Sequence, residues 1–303
     1  MTTTAPDPRR DPIELQGLGK HYFGARGDAL RDLTATIAPG AITAVLGPNG
    51  SGKTTLLRIL AGQLAESAGG IAIGGRPLPL DARIPYTAVA HGGNNLGEFR
   101  MRDALRFAQS RPGWDGAVYE RLARAFDLPA RGKLHRLSTG QQSGFAIACG
   151  LASGAPIVII DEAHAGLDVP KRFALYEELV RANAEDGRTV LIASHNVGEL
   201  ERLAERLLVL RDGRLIGDLA VEELRGRYLR LVGPSERVAQ AAAGAPVVSA
   251  RVLGPTSELV VDLDGRALDP LPAGVLAEQL DFQEAFVALV RDGEAASPKE
   301  AAA

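Results

Sequence analysis

Residues 41–61 constrain this chain most. An apolar run, Ala41–Leu46, leads without a break into GPNGSGKT at residues 47–54, and helical spacing follows from Lys53 to about Ala61. The eight residues match G-x-x-x-x-G-K-[ST] in full. A strand, a glycine-rich turn and a helix in that order aim backbone N–H groups and a helix N-terminus at one point, as a bound phosphate requires. Gly47, Gly50 and Gly52 let the backbone turn tightly, with Pro48, Asn49 and Ser51 completing the loop and Thr55 following on the helix. Lys53 in this pattern reaches the β- and γ-phosphates, and Thr54 offers its hydroxyl to Mg²⁺. A glycine loop that only turned a corner would leave Lys53 and Thr54 unexplained.

The rest of the chain narrows the class. Its 303 residues are 46% hydrophobic and 23% charged with a net charge of −3, so no bulk basic field for nucleic acid is present. The lone Cys149 excludes an intrachain disulfide and a cysteine-built metal site, and its apolar surroundings read as core. The N-terminus has no signal-peptide core and no run of 18 apolar residues occurs, so the expectation is a cytosolic protein that reaches any membrane through a partner. Residues 1–12 and 292–303 read as disordered tails. Short strands are expected from Ile13 to about Gly40, and helices dominate residues 97–152. Ile157–Ile160 and Val190–Ala193 are continuous apolar runs, each a strand buried on both faces, joined by a crossover helix over Arg172–Asn183. Leu207–Leu210 and Arg214–Ile216 flank Asp212–Gly213 as a hairpin. Beyond about Arg225 come strands at Tyr228–Leu231, Val247–Val252 and Glu258–Leu263, and a closing helix at Phe282–Val290. The expected organisation is a main domain over 13–225 and a small α+β extension over 226–291.

Further motifs stand in order behind the phosphate loop: LSTGQ at 137–141, APIVIIDEAHAGLD at 155–168, and IASHN at 192–196. Together they resemble the ATP-binding-cassette (ABC) ATPases over about Ile13 to Glu223. The resemblance implies an α/β P-loop NTPase with an ABC-type core sheet, an antiparallel β-subdomain and a helical subdomain, here with the C-terminal appendage. It implies that Asp161 holds Mg²⁺, that Glu162 polarises the attacking water as a general base, and that His195 contacts the γ-phosphate. It also implies that Ser138, Thr139, Gly140 and Gln141 cap ATP bound to a second subunit, with Asp168 at that interface. Tyr22 or the adjacent Phe23 resembles the aromatic that stacks on adenine, and a core aromatic is the plain alternative. The implied ligands are ATP and Mg²⁺. The implied partners are a membrane-spanning transporter subunit and a second copy or a paralogue, on the cytoplasmic face of the membrane, with export favoured and no direct nucleic acid. A soluble ABC ATPase acting on nucleic acid or ribosomes is the alternative; neither a heptad run nor a repeat favours it.

Four departures from the family pattern matter. His91 stands where a glutamine is usual, and it can hydrogen-bond or titrate near neutral pH. Thr139 replaces a glycine, Gly144 an arginine, and Ala163–His164 a Pro-Thr pair. His164 has no second ligand at metal spacing and reads as structural.

Overall fold

The computed structural model describes residues 6–24, 27–91, 98–194, 196–266 and 270–296. Alternating apolar residues over 13–37 build β1 (Ile13–His21) and β2 (Asp28–Ile37), whose Ile13, Leu15, Leu30, Leu33 and Ile37 all point into one core. The apolar run before the glycines is β3 (Ile42–Leu46), buried at every position, and Lys53 opens α1 (Lys53–Leu60). β4 (Ala68–Ile73) and β5 (Arg76–Pro77) complete an antiparallel sheet of order β2-β1-β4-β5. Next come α2 (Leu80–Arg83), β6 (Thr87–His91), α3 (Met101–Gln109), α4 (Gly116–Ala125) and α5 (Thr139–Ala152). β7 (Ile157–Asp161), α6 (Val169–Asp186) and β8 (Thr189–Ala193) form the expected crossover, followed by α7 (Val197–Leu200). β9 (Arg206–Arg211) and β10 (Arg214–Ala220) are the expected hairpin.

The central sheet has the order β10-β9-β3-β8-β7-β6, parallel throughout except for the β9–β10 edge. β3, β7 and β8 are each buried at all five positions, the both-face burial that their unbroken apolar sequences require. One core packs this sheet against the antiparallel sheet and α1; another packs it against α5, α6 and the C-terminal elements. α4 and α5 hold the helical region to the sheet. Phe126 lies fully buried against Gly144, where an added Cβ would come within 2.9 Å of the Phe126 side chain. Any side chain at 144 would therefore have to displace Phe126. Cys149 is only half-buried, and burial pushes its thiol up to about 12.

The C-terminal region carries a sheet of its own and also packs on the main core. α8 (Val221–Arg227) straddles the expected boundary and leads into β11 (Tyr228–Pro234). α9 (Ser235–Ala241), β12 (Val247–Leu253), β13 (Thr256–Asp262) and β14 (Leu276–Gln279) follow, giving a sheet of order β12-β13-β11-β14. The last helix, α10 (Phe282–Ala296), runs past residue 292, so residues 292–296 are helical where the sequence reads as a tail. Phe282, Ala285, Ala288 and Leu289 share one core with Leu200, Leu219 and Leu224, and that apolar stripe is what carries the helix onward. At the other end, residues 7–11 form a turn rather than a free tail. Asp7 N donates to Asp11, and Thr189 Oγ1 donates to the Pro8 carbonyl at 2.8 Å.

Candidate functional site

Gly47 ends β3 against its neighbour strand, where a Cβ would sit 2.1 Å from the Leu210 carbonyl oxygen. Gly52 is equally confined, 2.6 Å from the Ala29 carbonyl, whereas a Cβ at Gly50 would meet nothing within 4 Å. Two glycines thus seat the loop on the fold, and the third supplies a left-handed turn (φ 80°) facing open space. Gly47→Ala must displace the loop. A distortion of about 1–3 kcal/mol lowers ATP affinity roughly 5- to 150-fold; titration with a fluorescent ATP analogue checks this.

Lys53 is buried, and its Nζ donates to the loop's own carbonyls, Gly47 at 2.7 Å and Pro48 at 3.0 Å. Burial pulls its pKa below the usual lysine value, against the opposing pull of Glu162 and Asp161. The Ser51 hydroxyl is buried with no hydrogen-bond partner. A phosphate oxygen satisfies both groups, since each offers a donor. Thr54 Oγ1 donates to Asp161 Oδ1 at 3.2 Å. A hydroxyl and a buried carboxylate are hard oxygen donors and fit Mg²⁺.

Asp161 ends β7, and Glu162 follows with left-handed backbone (φ 57°, ψ 8°). That conformation is costly for a residue bearing a side chain and persists where the surroundings impose it. Parallel pairing of β6 with β7 sets His91 opposite Asp161. His91 Nδ1 lies 3.1 Å from Asp161 Oδ2, and Nε2 lies 2.9 Å from Gln63 Oε1. His91 therefore links the carboxylate to the end of the α1 region through Gln63, which no motif singles out. Buried His164 contacts Ser194 Oγ at 2.9 Å through Nε2, joining the turn after Glu162 to the exit of β8. His195 lies outside the described residues.

Ser138 caps α5: its hydroxyl accepts from Gln141 N, and its own N–H donates to Gln141 Oε1, both at 3.2 Å. The cap starts the helix at Thr139, inside the LSTGQ motif itself. Gly140 abuts the 163–166 turn, with a Cβ position 2.6 Å from the Gly166 carbonyl. Asp168 caps α6 through Lys171 N, and Lys171 Nζ bridges Asp168 to Asp127 of the helical region. Among the described residues no hydrogen bond joins Ser138, Thr139, Gly140 or Gln141 to the phosphate loop of the same chain. Tyr22 stands beside α1, its hydroxyl 3.3 Å from Thr55 Oγ1, while Phe23 is fully exposed.

Comparison with known proteins gives a consistent result. Residues 30–165 match the protein family described as "ABC transporter". The chain is 32% identical over 243 residues to the aliphatic sulfonates import ATP-binding protein SsuB of Escherichia coli K12, covering 76% of this chain and 89% of that protein. It is 33% identical over 236 residues to the Nod factor export ATP-binding protein I of Paraburkholderia xenovorans, covering 73% and 77%. Among solved structures, the dimeric structure of MJ0796, a bacterial ABC transporter cassette, superposes with a TM-score of 0.58 at 25% identity, over 69% of this chain and 98% of that one.

Proposed function

The chain belongs to the family of ATP-binding subunits of ABC transporters, and from that premise we propose that it binds and hydrolyses ATP in a head-to-tail dimer that drives export through a separate membrane-spanning subunit. The observation that carries the proposal is the convergence of Lys53, Thr54, Asp161 and Glu162 on the mouth of one glycine loop. Lys53 leaves its loop carbonyls for the β- and γ-phosphates. Thr54 and Asp161 hold Mg²⁺, which supplies neutralising charge when bound. Glu162 takes the proton of the attacking water, and its imposed backbone conformation aims the carboxylate. Most of the acceleration is positioning and charge neutralisation, because phosphoryl transfer asks little covalent help of a protein. Tyr22, rather than Phe23, takes the adenine face, since it alone stands beside α1.

The dimer reading rests on the signature. Among the described residues Ser138–Gln141 has no hydrogen bond to its own phosphate loop, and it stands at the N-terminus of a 14-residue helix, where an anion is favoured. A second chain brings that end over the phosphates, with Asp168 beside it. Relatives named for import and for export both occur, and export is favoured on the resemblance to short cassettes with a divergent linker loop. His91→Gln keeps partners for Asp161 and Gln63 within reach. Its steady-state kcat is expected within about threefold of the parent, the scale of one net hydrogen bond. An inactive His91→Gln enzyme would contradict the role given to His91.

Among the described residues no helix is long and apolar enough to cross a membrane, so coupling needs a partner at the cytoplasmic face. The helical region supports a docking face. A cavity of about 890 Å³ is lined by Arg100, Arg102, Arg131, Lys133 and Arg136, with exposed Phe99 adjoining in the chain. Arg100 and Lys133 are paired across a β-bridge, an arrangement of like charges that costs energy until an anion relieves it. An acidic cytoplasmic loop of the membrane subunit fits there. The test of the whole proposal is Mg²⁺-dependent phosphate release from ATP by the purified chain and by its membrane complex. Release that is lost in Lys53→Ala supports it, and no release from either preparation overturns it.

A further inference from the structure

The C-terminal helix faces the phosphate loop of its own chain across a cavity. One stripe of α10 is core. The adjoining stripe, Phe286, Val287, Val290 and Arg291, lines a cavity of about 570 Å³ whose other walls include Gly47, Pro48, Asn49, Ser194 and Val197. Two contacts hold the helix there. Arg211, at the end of β9, donates from Nη1 to the Val290 carbonyl at 2.5 Å. The preceding Leu210 carbonyl is the one against which Gly47 packs. The following turn donates Gly213 N–H to the Ser51 carbonyl at 3.1 Å. The β9–β10 turn therefore holds the phosphate loop with its backbone and α10 with the Arg211 side chain. On the other side, Gln283 packs on Gly198 at the start of α7, where an added Cβ would lie 2.8 Å from Gln283 Nε2. Gly198 is four residues beyond Ser194, whose hydroxyl meets His164 in the turn after Glu162.

We infer that α10 is a positioning element for ATP hydrolysis, with Arg211 and Gln283 as the positioning residues that act through the phosphate loop and through the segment leaving β8. This rests on the ATPase reading above and assigns the C-terminal extension a part in the reaction that no motif in it announces. Neither residue touches the reacting atoms. Their effect is on the placement of Gly47–Asn49 against the β8 exit, and a misplacement of 1 Å can cost about 10²-fold in rate. A partial loosening is therefore expected to show in turnover more than in nucleotide affinity.

The test uses the full-length chain and three substitutions. Removing α10 outright would take Phe282, Ala285 and Leu289 from the core, so truncation is the wrong experiment. Arg211→Met cuts the tie while keeping an apolar stem. Val287→Trp fills the cavity from a half-exposed position. Leu276→Ser, on the exposed β14 of the same C-terminal unit and outside the cavity lining, is the control. Expected results are a kcat lowered roughly tenfold in Arg211→Met and Val287→Trp, with KM for ATP and the affinity for a fluorescent ATP analogue within about twofold. Amide exchange should rise in residues 47, 49, 50, 194 and 196–200 of Arg211→Met, and the control should match the parent. Parental kcat and exchange in both cavity variants would overturn the inference, as would an equal loss in Leu276→Ser. If the parent chain itself releases no phosphate, the ATPase reading fails instead, and the exchange measurement still reports whether α10 steadies the loop.

Discussion

Glu162→Gln is expected to lower ATP turnover by about 10²- to 10⁴-fold, the usual contribution of a positioned general base, while leaving ATP bound. The substitution keeps the shape of the side chain and removes only its capacity to take a proton. Asp161, Thr54 and Lys53 are untouched, so the phosphate contacts persist, and the backbone at 162 has no reason to relax, since its left-handed turn is held by the β7 exit on one side and the 163–166 turn on the other. Bound but uncleaved ATP should then hold two chains together, and light scattering at saturating ATP and Mg²⁺ should report a dimer that the parent forms only transiently. Lys53→Ala should lose both binding and dimer. A Glu162→Gln chain that stays monomeric with ATP bound would contradict the head-to-tail arrangement while leaving the site chemistry standing.

The second large effect concerns stability. Arg83 is fully buried and its guanidinium makes four hydrogen bonds: paired contacts of 2.7 and 2.8 Å to Glu66, and donation to the Leu78 and Ile59 carbonyls at 3.1 Å each. Ile59 belongs to α1, so this arginine pins the far end of the helix that presents the phosphate loop. Glu66→Ala leaves a buried guanidinium without its counter-charge, a change that costs about 3–5 kcal/mol. Thermal unfolding should shift down by roughly 10 °C. The pairing has a pH signature too. The Arg83 hydrogen bond, foremost, holds the Glu66 carboxyl below its ordinary value of 4.5. A depressed carboxylate contributes stability that is complete above the unfolded value and is lost as pH falls through the folded one. The parent's advantage over Glu66→Ala should therefore be constant near neutrality and shrink only in acid below about pH 4.5.

How much of this could be read beforehand depends on the range of the interactions. The strands β3, β7 and β8 were legible because burial on both faces demands unbroken apolar runs, and the phosphate loop because its glycines, lysine and threonine are consecutive. Asp161 and Glu162 were legible from their place directly after such a run. The hairpin at Asp212–Gly213 announced itself by its turn residues. Arg83 was not, because a buried cation looks like a surface cation until its partners, distant by 5 to 24 residues, are assembled around it. Gln63 escaped for the same reason: its role comes from His91, brought beside it by β6. β14 has neither alternation nor an apolar run, and all four of its residues are exposed, so pairing with β11 alone defines it. The placement of α10 across one cavity from residues 47–49 is the extreme case, a juxtaposition over more than two hundred positions that no local pattern encodes.

The central claim is that this chain powers a membrane protein, and capture of the tagged chain from detergent-solubilised native membranes, followed by mass spectrometry, tests it most directly. The account predicts a polytopic membrane protein at constant stoichiometry, lost when Arg100 and Lys133 are both changed to glutamate. Recovery of ribosomal, DNA-bound or other soluble partners at constant stoichiometry, with no membrane protein among them, would contradict it.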